Sequence, residues 1–412
     1  MERWSAAVQN GGVIYLDHAA TTPLCPAARE AVQEVVASGL AGANPSSPHR
    51  PGRRARALLD EARDTVAGLL GVEAGELIFT SGGTEADNLA LMGAARAVRR
   101  EWGRRGLVVS AVEHHAVLEA ARALEREGFA VEWAGCDARG RVPPEAVAEA
   151  IRRLEARGER PGVVALMLVN NEVGTLQPVA EAAEVAHRAG ALLMTDAVQG
   201  AFVEALSPKQ LGCDLLTLSA HKFGGPQGAG AVYVRRGIPF DPLGYGGGQE
   251  RGLRPGTENV LGIVGMAAAF AWARRERAAV EGHKLRLEAR LLRRLAEQGL
   301  QVAVNGAEAP RIPGLLSLYV PGVEAETLLV ELDMAGVACS YGSACSSGSM
   351  RPSHVLQAMG LPPERVRGSI RVSIGATNTL EEMDEAAGRM ARAVRRLTGA
   401  PRPVQAAGVA GP

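Results

Sequence analysis

Apolar and polar residues in the first two thirds of the chain follow two alternating patterns. Short continuous apolar runs have the length of buried strands, and between several of them apolar residues recur at the spacing of amphipathic helices. We predict strands at 76–80, 107–112, 163–169, 191–195, 215–218 and 229–234, and helices at 51–70, 85–100, 116–127, 144–156 and 179–189. This alternation indicates an α/β fold with a mostly parallel sheet covered on both faces.

The pattern changes after about residue 260. A long helical segment runs to about residue 298, shorter strand and helix pieces follow, and a last helix is predicted at 380–397. We therefore expect a large domain at 15–260 and a smaller α+β domain at 261–399, with residues 1–14 packing on the smaller domain. Residues 400–412 are mostly Pro, Ala and Gly with little to bury, and we expect a disordered tail there.

Charge and cysteine content narrow the class of protein. The 412 residues contain 45 Lys+Arg and 45 Asp+Glu, so a nucleic-acid or membrane-surface binder, which carries a basic excess, is not expected. The five cysteines include no Cys-x-x-Cys pair, which argues against a zinc or cluster site and fits free thiols in a reducing compartment. The first residues lack an apolar signal core, and the small-apolar stretch 262–273 is too short to span a bilayer. We expect a soluble cytoplasmic protein.

Polar side chains follow five of the predicted strands, at the point where each strand ends. Ligands of parallel α/β sheets bind outside the carboxyl ends of the strands, so these residues should lie close together. They are Ser81-Gly82-Gly83-Thr84, Glu113-His114-His115, Asn170-Asn171, Asp196 with Gln199, and Ser219-Ala220-His221-Lys222.

Each residue type at this edge has a chemical use. A Gly-Gly-Thr turn that opens a helix offers free N–H groups and a hydroxyl to a phosphate. A buried aspartate such as Asp196 can hold a protonated ring nitrogen, and Lys222 can form a Schiff base. Together they describe a pocket for pyridoxal phosphate. Structural alternatives stay open at this point: Asp196 and Thr84 also suit helix N-caps, and Asn171 suits a strand-end cap.

Other motif-based sites are absent from the sequence. No Gly-x-x-x-x-Gly-Lys-Ser/Thr, dinucleotide Gly-x-Gly-x-x-Gly or His-Glu-x-x-His pattern occurs. His114, His115 and His221 lack a carboxylate or cysteine at a recognisable metal-ligand spacing, so no metal site is expected.

Cys345 lies in a stretch of small polar residues, 340–349. A structural cysteine normally lies among large apolar residues, whereas Gly and Ser favour a loop. This stretch alone fits a travelling nucleophile and an incidental loop cysteine equally well.

The chain resembles the cysteine desulfurases of the class V aminotransferase superfamily, specifically the group with a long cysteine-bearing loop. The resemblance centres on the lysine motif 219–226 and covers nearly the whole chain. Its other motifs are 15–23, 44–47, 80–88, 113–117, 170–174, 246–252, 342–345 and 369–373. It implies the fold type I architecture of pyridoxal phosphate enzymes.

The resemblance also implies a role for each motif residue. Lys222 would carry the cofactor, Asp196 would pair with its ring nitrogen, and Gln199 would bind its phenolic oxygen. His114 would stack on the ring and take part in proton transfer, and Asn171 would lie near the substrate and the phenolic oxygen. The phosphate would be bound by Gly83, Thr84, Ser219 and His221, and by Thr257 of a neighbouring subunit in a homodimer with shared active sites.

Arg371 is expected to bind the substrate carboxylate. Alternation in 369–375 places Arg371 on the polar face of a strand, where a bidentate carboxylate contact is possible. Without the resemblance, a surface arginine on an edge strand would fit this pattern better.

The implied activity converts L-cysteine to L-alanine and leaves a persulfide on Cys345. The sulfur acceptor would be an iron–sulfur scaffold, a tRNA-thiolation relay or a dedicated carrier. A selenocysteine lyase, a kynureninase-like hydrolase or a transaminase is the alternative within the superfamily, and a non-catalytic sulfur-carrier or scaffold subunit is the alternative outside catalysis.

Overall fold

The computed structural model describes residues 12–342 and 352–399, and these contain a large central sheet. Within the described residues the sheet has seven strands in the order β2-β8-β7-β6-β5-β3-β4. All pairings are parallel except those of β8, which runs antiparallel to β2 and β7. The strands are β2 Leu77–Thr80, β3 Gly106–Ser110, β4 Ala130–Ala134, β5 Pro161–Ala165, β6 Leu192–Asp196, β7 Leu215–Ser219 and β8 Gly230–Val234, with β1 Ile14–Tyr15 outside this sheet.

Helices cover both faces of this sheet, as parallel sheets require. The helices of this part of the chain are α1 Pro26–Ala37, α2 Arg50–Leu70, α3 Gly83–Trp102, α4 His115–Arg126, α5 Pro144–Ala156, α6 Val179–Arg188 and α7 Pro208–Leu211. On one face α3 and α4 bury residues such as Leu89 and Leu118 against the strands. On the other face α1, α2, α5 and α6 contribute residues such as Leu59 and Leu154 to a second core.

A 38-residue helix, α8 Val260–Glu297, connects this layer structure to the rest of the chain. At 1.5 Å per residue it is about 57 Å long. Its first half buries Ile263, Met266 and Phe270 in the core of the large sheet. Its second half buries Leu287, Leu291 and Leu295 in a separate core. The helix therefore contributes to two hydrophobic cores that are otherwise distinct.

The second core surrounds a small antiparallel sheet. Its strands are ordered β12-β10-β9, and β1 pairs in parallel with β11 beside it. The elements are β9 Ala303–Val304, β10 Leu315–Tyr319, α9 Ala325–Met334, β11 Val337–Ala338, α10 His354–Ala358, α11 Pro363–Arg367, β12 Ser369–Ser373 and α12 Leu380–Thr398. The predicted packing of residues 1–14 falls mostly on residues 1–11, and the predicted tail on 400–412; both lie outside the described residues.

The predicted α/β architecture with a mostly parallel sheet is confirmed, and the differences are local. Strand β4 was not predicted from the sequence, because its apolar run is interrupted by charged Glu132, which forms ion pairs with Arg153 and Arg157. The strand predicted at 163–169 ends at Ala165, although the N–H groups of Leu166 and Leu168 still bond to β6 carbonyls. None of the helices in the described segments combines the length and the apolarity that crossing a bilayer requires.

A buried ion pair fixes the edge of the large sheet. Arg63 of α2 donates to both carboxylate oxygens of Glu250 at 2.8 and 2.6 Å and to the carbonyl of Leu77. Glu250 also accepts the N–H of Phe79 at 2.9 Å, and the guanidinium lies 4.7 Å from the Phe79 ring centroid. Glu250 adopts φ 44°, a left-handed conformation that costs a non-glycine residue energy. The carboxylate contacts therefore hold the chain in a strained turn.

We expect Glu250→Gln to lower the free energy of unfolding by about 3 kcal/mol or more, because it leaves a buried guanidinium without a counter-charge. The measurement is chemical and thermal unfolding followed by circular dichroism. The matched control is Glu184→Gln, which removes an exposed partner of Arg188 and should change stability by about 0.5 kcal/mol or less. Equal effects of the two substitutions would contradict the structural role of the pair.

Candidate active site

A cavity of about 370 Å³ lies at the carboxyl ends of the central strands, and we call it the catalytic cavity. Ten residues predicted from the sequence line it: Gly83, Thr84, His114, Asn171, Asp196, Gln199, Ser219, His221, Lys222 and Arg371. Strand ends separated by more than 100 residues thus meet at one edge of the sheet, as parallel topology dictates.

The end of the catalytic cavity at helix α3 is a cradle of backbone and hydroxyl groups. Helix α3 begins at Gly83, so its first N–H groups have no intrahelical partner. A Cβ atom at Gly83 would lie 3.0 Å from Val198 Cγ2 and 3.3 Å from Ser219 Cβ, which leaves no room for a side chain. The Ser219 hydroxyl is buried and has no hydrogen-bond partner among the described residues. These donors suit an anion.

Asp196 ends β6, and its carboxylate is buried at the centre of the catalytic cavity. One oxygen accepts the N–H of Val198 at 2.8 Å in a turn, and because no helix begins there the helix N-cap alternative is wrong. Burial raises the Asp196 pKa to about 6, against the opposing effects of the Val198 bond and Lys222. The Asp87 carboxyl accepts from Thr217 Oγ1 at 2.7 Å, and its pKa is also raised by burial and by Asp196. A cation in the cavity would relieve this pair of buried acids.

Lys222 follows β7 at the opposite wall. Its Nζ donates to the carbonyls of Ala19 and Ala20 at 2.7 and 2.8 Å. Gln199 Nε2 donates to the same Ala19 carbonyl at 2.9 Å, and His221 Nδ1 lies 3.2 Å from Thr21 Oγ1. Residues 19–21 therefore orient three side chains of the catalytic cavity.

His114 caps helix α4 and faces the catalytic cavity. Its Nδ1 accepts the N–H of Ala116 at 3.1 Å, so in the neutral ring the proton is on Nε2. Burial, and then the charge of Lys222, lower the His114 pKa to about 4. The ring is neutral near pH 7 and presents a donor.

Arg371 lies on β12 and is almost completely buried, so the alternative of a surface arginine is wrong. Its guanidinium donates to the Asn171 carbonyl at 3.1 Å and to Asp17 Oδ1 at 3.0 Å. Its Nε has no partner within the described residues. Arg371 therefore keeps donor capacity for one more acceptor such as a carboxylate.

Asp17 and Asp87 were given no role from the sequence. Asp17 is the ion-pair partner of Arg371, across 354 residues of chain. Asp87 is three residues after Thr84 on helix α3, a spacing that places both on one side of the helix. The spacing from Thr84 could have identified Asp87 as a candidate site residue. No feature of the sequence near Asp17 indicated its pairing with Arg371.

Glu172 and His354 also line the catalytic cavity without having been predicted. The Glu172 carboxylate is buried and accepts from Ser353 Oγ. A side chain at Gly342 would collide with the same carboxylate, so Glu172 contacts the chain both before and after residues 343–351. His354 Nε2 bonds to the Glu113 carbonyl at 3.0 Å, and its ring lies 4.8 Å from that of His115.

Thr257 and Cys345 are the remaining predicted site residues. Thr257 is exposed and does not line the catalytic cavity. Cys345 lies outside the described residues. Among the described residues no group of three or more His, Cys, Asp or Glu side chains is arranged to hold a metal ion.

Comparisons with known proteins agree on one family. The family model described as aminotransferase class-V matches residues 14–385. A Bacillus subtilis protein named putative cysteine desulfurase IscS 1 is 44% identical over 388 residues, covering 93% of this chain and 99% of the relative. A NifS-like protein structure is 33% identical, with TM-score 0.84, covering 93% of this chain and 100% of that one. A structure of SspA in complex with cysteine is 30% identical, with TM-score 0.74, covering 89% and 99%.

A buried acid near the catalytic cavity predicts a pH effect on stability. Glu113 Oε1 accepts from Ser110 Oγ at 2.6 Å and from the Met167 N–H at 2.7 Å, whereas Oε2 has no partner within the described residues. Burial raises the Glu113 pKa from 4.5 to about 8. The folded protein therefore binds this proton more tightly than the unfolded chain, and the resulting stability is lost as the pH rises from 4.5 through 8.

We expect the melting temperature of the wild type to fall between pH 5 and pH 8 relative to that of Glu113→Gln, which mimics the protonated acid. Thermal unfolding of both proteins across this range measures the effect, with Glu184→Gln as a surface control that should follow the wild type. Parallel profiles for the wild type and Glu113→Gln would contradict the raised pKa.

Proposed function

The chain belongs to the aminotransferase class-V family, and from that premise we propose that it is a cysteine desulfurase. It removes the sulfur of L-cysteine, releases L-alanine and carries the sulfur as a persulfide on Cys345. The observation that carries this proposal is the meeting of Lys222, Asp196 and Arg371 in one cavity. An amine, a buried acid and a carboxylate-binding guanidinium are the groups that amino-acid chemistry with a pyridine cofactor requires.

The residues of the catalytic cavity fit pyridoxal 5′-phosphate. The partnerless Ser219 hydroxyl and the N–H groups at the start of α3 match a phosphate, and Gly83 leaves the space that it needs. Burial raises the pKa of Asp196 in spite of the nearby Lys222 charge, so a protonated ring nitrogen beside this carboxyl would stabilise its charged form. When bound, the cofactor provides an electron sink for the electron pair left at the substrate α-carbon.

We assign the holding residues accordingly. Lys222 forms the covalent attachment, Asp196 pairs with the ring nitrogen and Gln199 donates to the phenolic oxygen. His114 would stack on the ring, and Asn171 would lie near the substrate and the phenolic oxygen. The phosphate is bound by Gly83, Thr84, Ser219 and His221, and by Thr257 from a second copy of the chain in a homodimer. Thr257 is exposed and does not line the catalytic cavity of its own chain, so it is accessible to a second copy, which supports that last assignment.

Substrate orientation depends on Arg371. Its two described contacts leave Nε free to donate, so the cysteine carboxylate can join Asp17 around one guanidinium. Because Arg371 is buried, this contact is shielded from water and orients the α-carbon towards Lys222.

The chain's own groups then move protons and one sulfur atom. Lys222, in its neutral amine form, would accept the α-proton of the substrate. The Cys345 thiolate attacks the substrate sulfur; a sulfur–sulfur bond forms, the carbon–sulfur bond breaks, and its electron pair remains on the substrate carbon, which is protonated to give alanine. The proton lost by Cys345 ends on the methyl carbon of alanine, Lys222 returns its proton to the α-carbon, and the substrate thiol proton stays on the outer sulfur of the persulfide.

The sulfur acceptor and compartment belong to the same proposal. An iron–sulfur scaffold or a thiolation relay would take the persulfide sulfur in the cytoplasm, where free thiols such as Cys25, Cys136, Cys213 and Cys339 persist. The alternative of a selenocysteine lyase has less support, because the curated relative is named a cysteine desulfurase and SspA was solved with cysteine.

Lys222→Ala should abolish both cysteine turnover and covalent attachment of the cofactor, since no other amine is placed in the catalytic cavity within the described residues. Borohydride reduction of the loaded protein, followed by peptide mass spectrometry, locates the attachment. Lys209→Ala on the surface helix α7 is the control and should retain both. A cofactor adduct on another residue of wild-type protein would refute the assignment.

Cys345→Ser should reduce alanine release on the order of 10³-fold or more, while the bound-cofactor absorption band survives, because only the sulfur nucleophile is lost. Alanine formation is measured by amino-acid analysis, and persulfide by mass spectrometry of the alkylated peptide. Cys136→Ser, a half-buried cysteine not lining the catalytic cavity, should turn over like the wild type. Unchanged turnover in Cys345→Ser would remove Cys345 from the reaction.

A further inference from the structure

A second cavity of about 340 Å³ lies beside the catalytic cavity, and we call it the α8 cavity. Its walls come from residues 198–205, from residues 277–284 of helix α8 and from residues 311–315. It shares Ala19, Val198, Gln199 and Lys222 with the catalytic cavity, so the two have a common wall. Its volume falls at the lower end of the range of small-molecule sites.

The walls of the α8 cavity are mainly apolar, with residues such as Phe202, Val280 and Ile312. Two of its cations are already paired. Arg277 bonds to Glu281 and Glu204, each at 3.1 Å. Arg311 forms an ion pair with Glu288 and donates to the Leu315 carbonyl. Their charges are therefore compensated within the protein.

Lys284 is the exception among these cations. Its ammonium makes no hydrogen bond or ion pair with any described residue, and its contact is with the Phe202 ring, whose centroid lies 5.1 Å from Nζ. Burial lowers the Lys284 pKa to about 8, with no compensating acid. The Lys284 side chain is half-buried, and its ammonium has no counter-charge among the described residues, so a negatively charged group placed beside it would be stabilising.

The stem of Lys284 occupies a defined place. A side chain at Gly314 would come within 3.2 Å of Lys284 Cβ and Cδ, and Gly314 has φ +79°, which favours glycine. Glycine at position 314 therefore leaves space for the Lys284 side chain at the wall of the α8 cavity.

The choice of lysine at position 284 is itself informative. Only three of the 45 Lys+Arg residues are lysines, at positions 209, 222 and 284. Arginine is hard to deprotonate and offers a broad planar fork, whereas lysine presents a compact point charge on a flexible stem. In a chain that uses arginine nearly everywhere, Lys284 places that compact charge against an aromatic wall.

We propose that the α8 cavity binds a small amphipathic monocarboxylate, whose carboxylate pairs with Lys284 and whose hydrocarbon part packs against Phe202, Val280 and Ile312. One unpaired cation in a mainly apolar cavity is complementary to one anionic group on an apolar body. This site goes beyond the proposed sulfur chemistry and does not depend on it.

Titration calorimetry of the holoenzyme with octanoate tests the proposal, with octanol as the uncharged probe. We expect octanoate to bind, octanol to bind at least about tenfold more weakly, and Lys284→Met to lose at least about tenfold in octanoate affinity, since a bond to a charged group is lost. Lys209→Met is the matched control and should bind octanoate like the wild type. Equal binding of octanol, full affinity in Lys284→Met or no octanoate binding would overturn the proposal.

A second measurement on the wild-type holoenzyme needs no variant to fold. An amine-reactive acylating reagent modifies mainly amines, and because the chain has three lysines, peptide mass spectrometry reports each lysine separately. Octanoate should slow modification of Lys284 severalfold while Lys209 reacts at an unchanged rate. An unchanged Lys284 rate at saturating octanoate would count against the site. Neither readout involves cysteine turnover, so failure here is distinguishable from failure of the proposed desulfurase activity.

Discussion

The buried carboxylate of Asp196 is the constraint on which the site depends. Asp196 lies beside Asp87, and Glu113 and Glu172 are buried nearby, so four acids occupy one region of low polarity. Lys222 and Arg371 are the cations that face them. Like charges in such surroundings raise one another's pKa values unless cations intervene. The cationic ring nitrogen of the proposed cofactor would stabilise this group of acids, which links the electrostatics of the fold to the proposed cofactor.

The segment of residues 17–22 joins the two hydrophobic layers to that site. Asp17 pairs with Arg371 on the small sheet, and the Ala19 carbonyl accepts from both Lys222 and Gln199 on the large sheet. The N–H of Ala19 is bonded to Ser373 Oγ of β12 at 2.8 Å. Both sheets are thus connected to one short stretch of backbone.

Local sequence features predicted most strand ends to within two residues, with β5 as the exception, since a buried parallel strand is a continuous apolar run and the next polar residue marks its end. Gly83, Asp196 and Lys222 could be placed at one edge because parallel topology gathers such ends. The Asp17–Arg371 pair and the Arg63–Glu250 pair could not, because periodicity carries no information on which distant charges meet. Cys345 shows the other limit: its chemistry is indicated by composition and resemblance, and it lies outside the described residues.

The three lysines of the chain differ in whether they line a cavity. Lys209 is exposed on a short helix, so scarcity of lysine alone does not mark a site. Lys222 lines both cavities as part of their common wall, and Lys284 lines the α8 cavity. At Lys222 an arginine could not exchange the proton that the proposed reaction requires, because its guanidinium stays charged. At Lys284 burial lowers the pKa of the amine to about 8, and an anion bound beside it would favour the charged form. Burial of an amine against an open volume, rather than the amine itself, is what distinguishes these two positions.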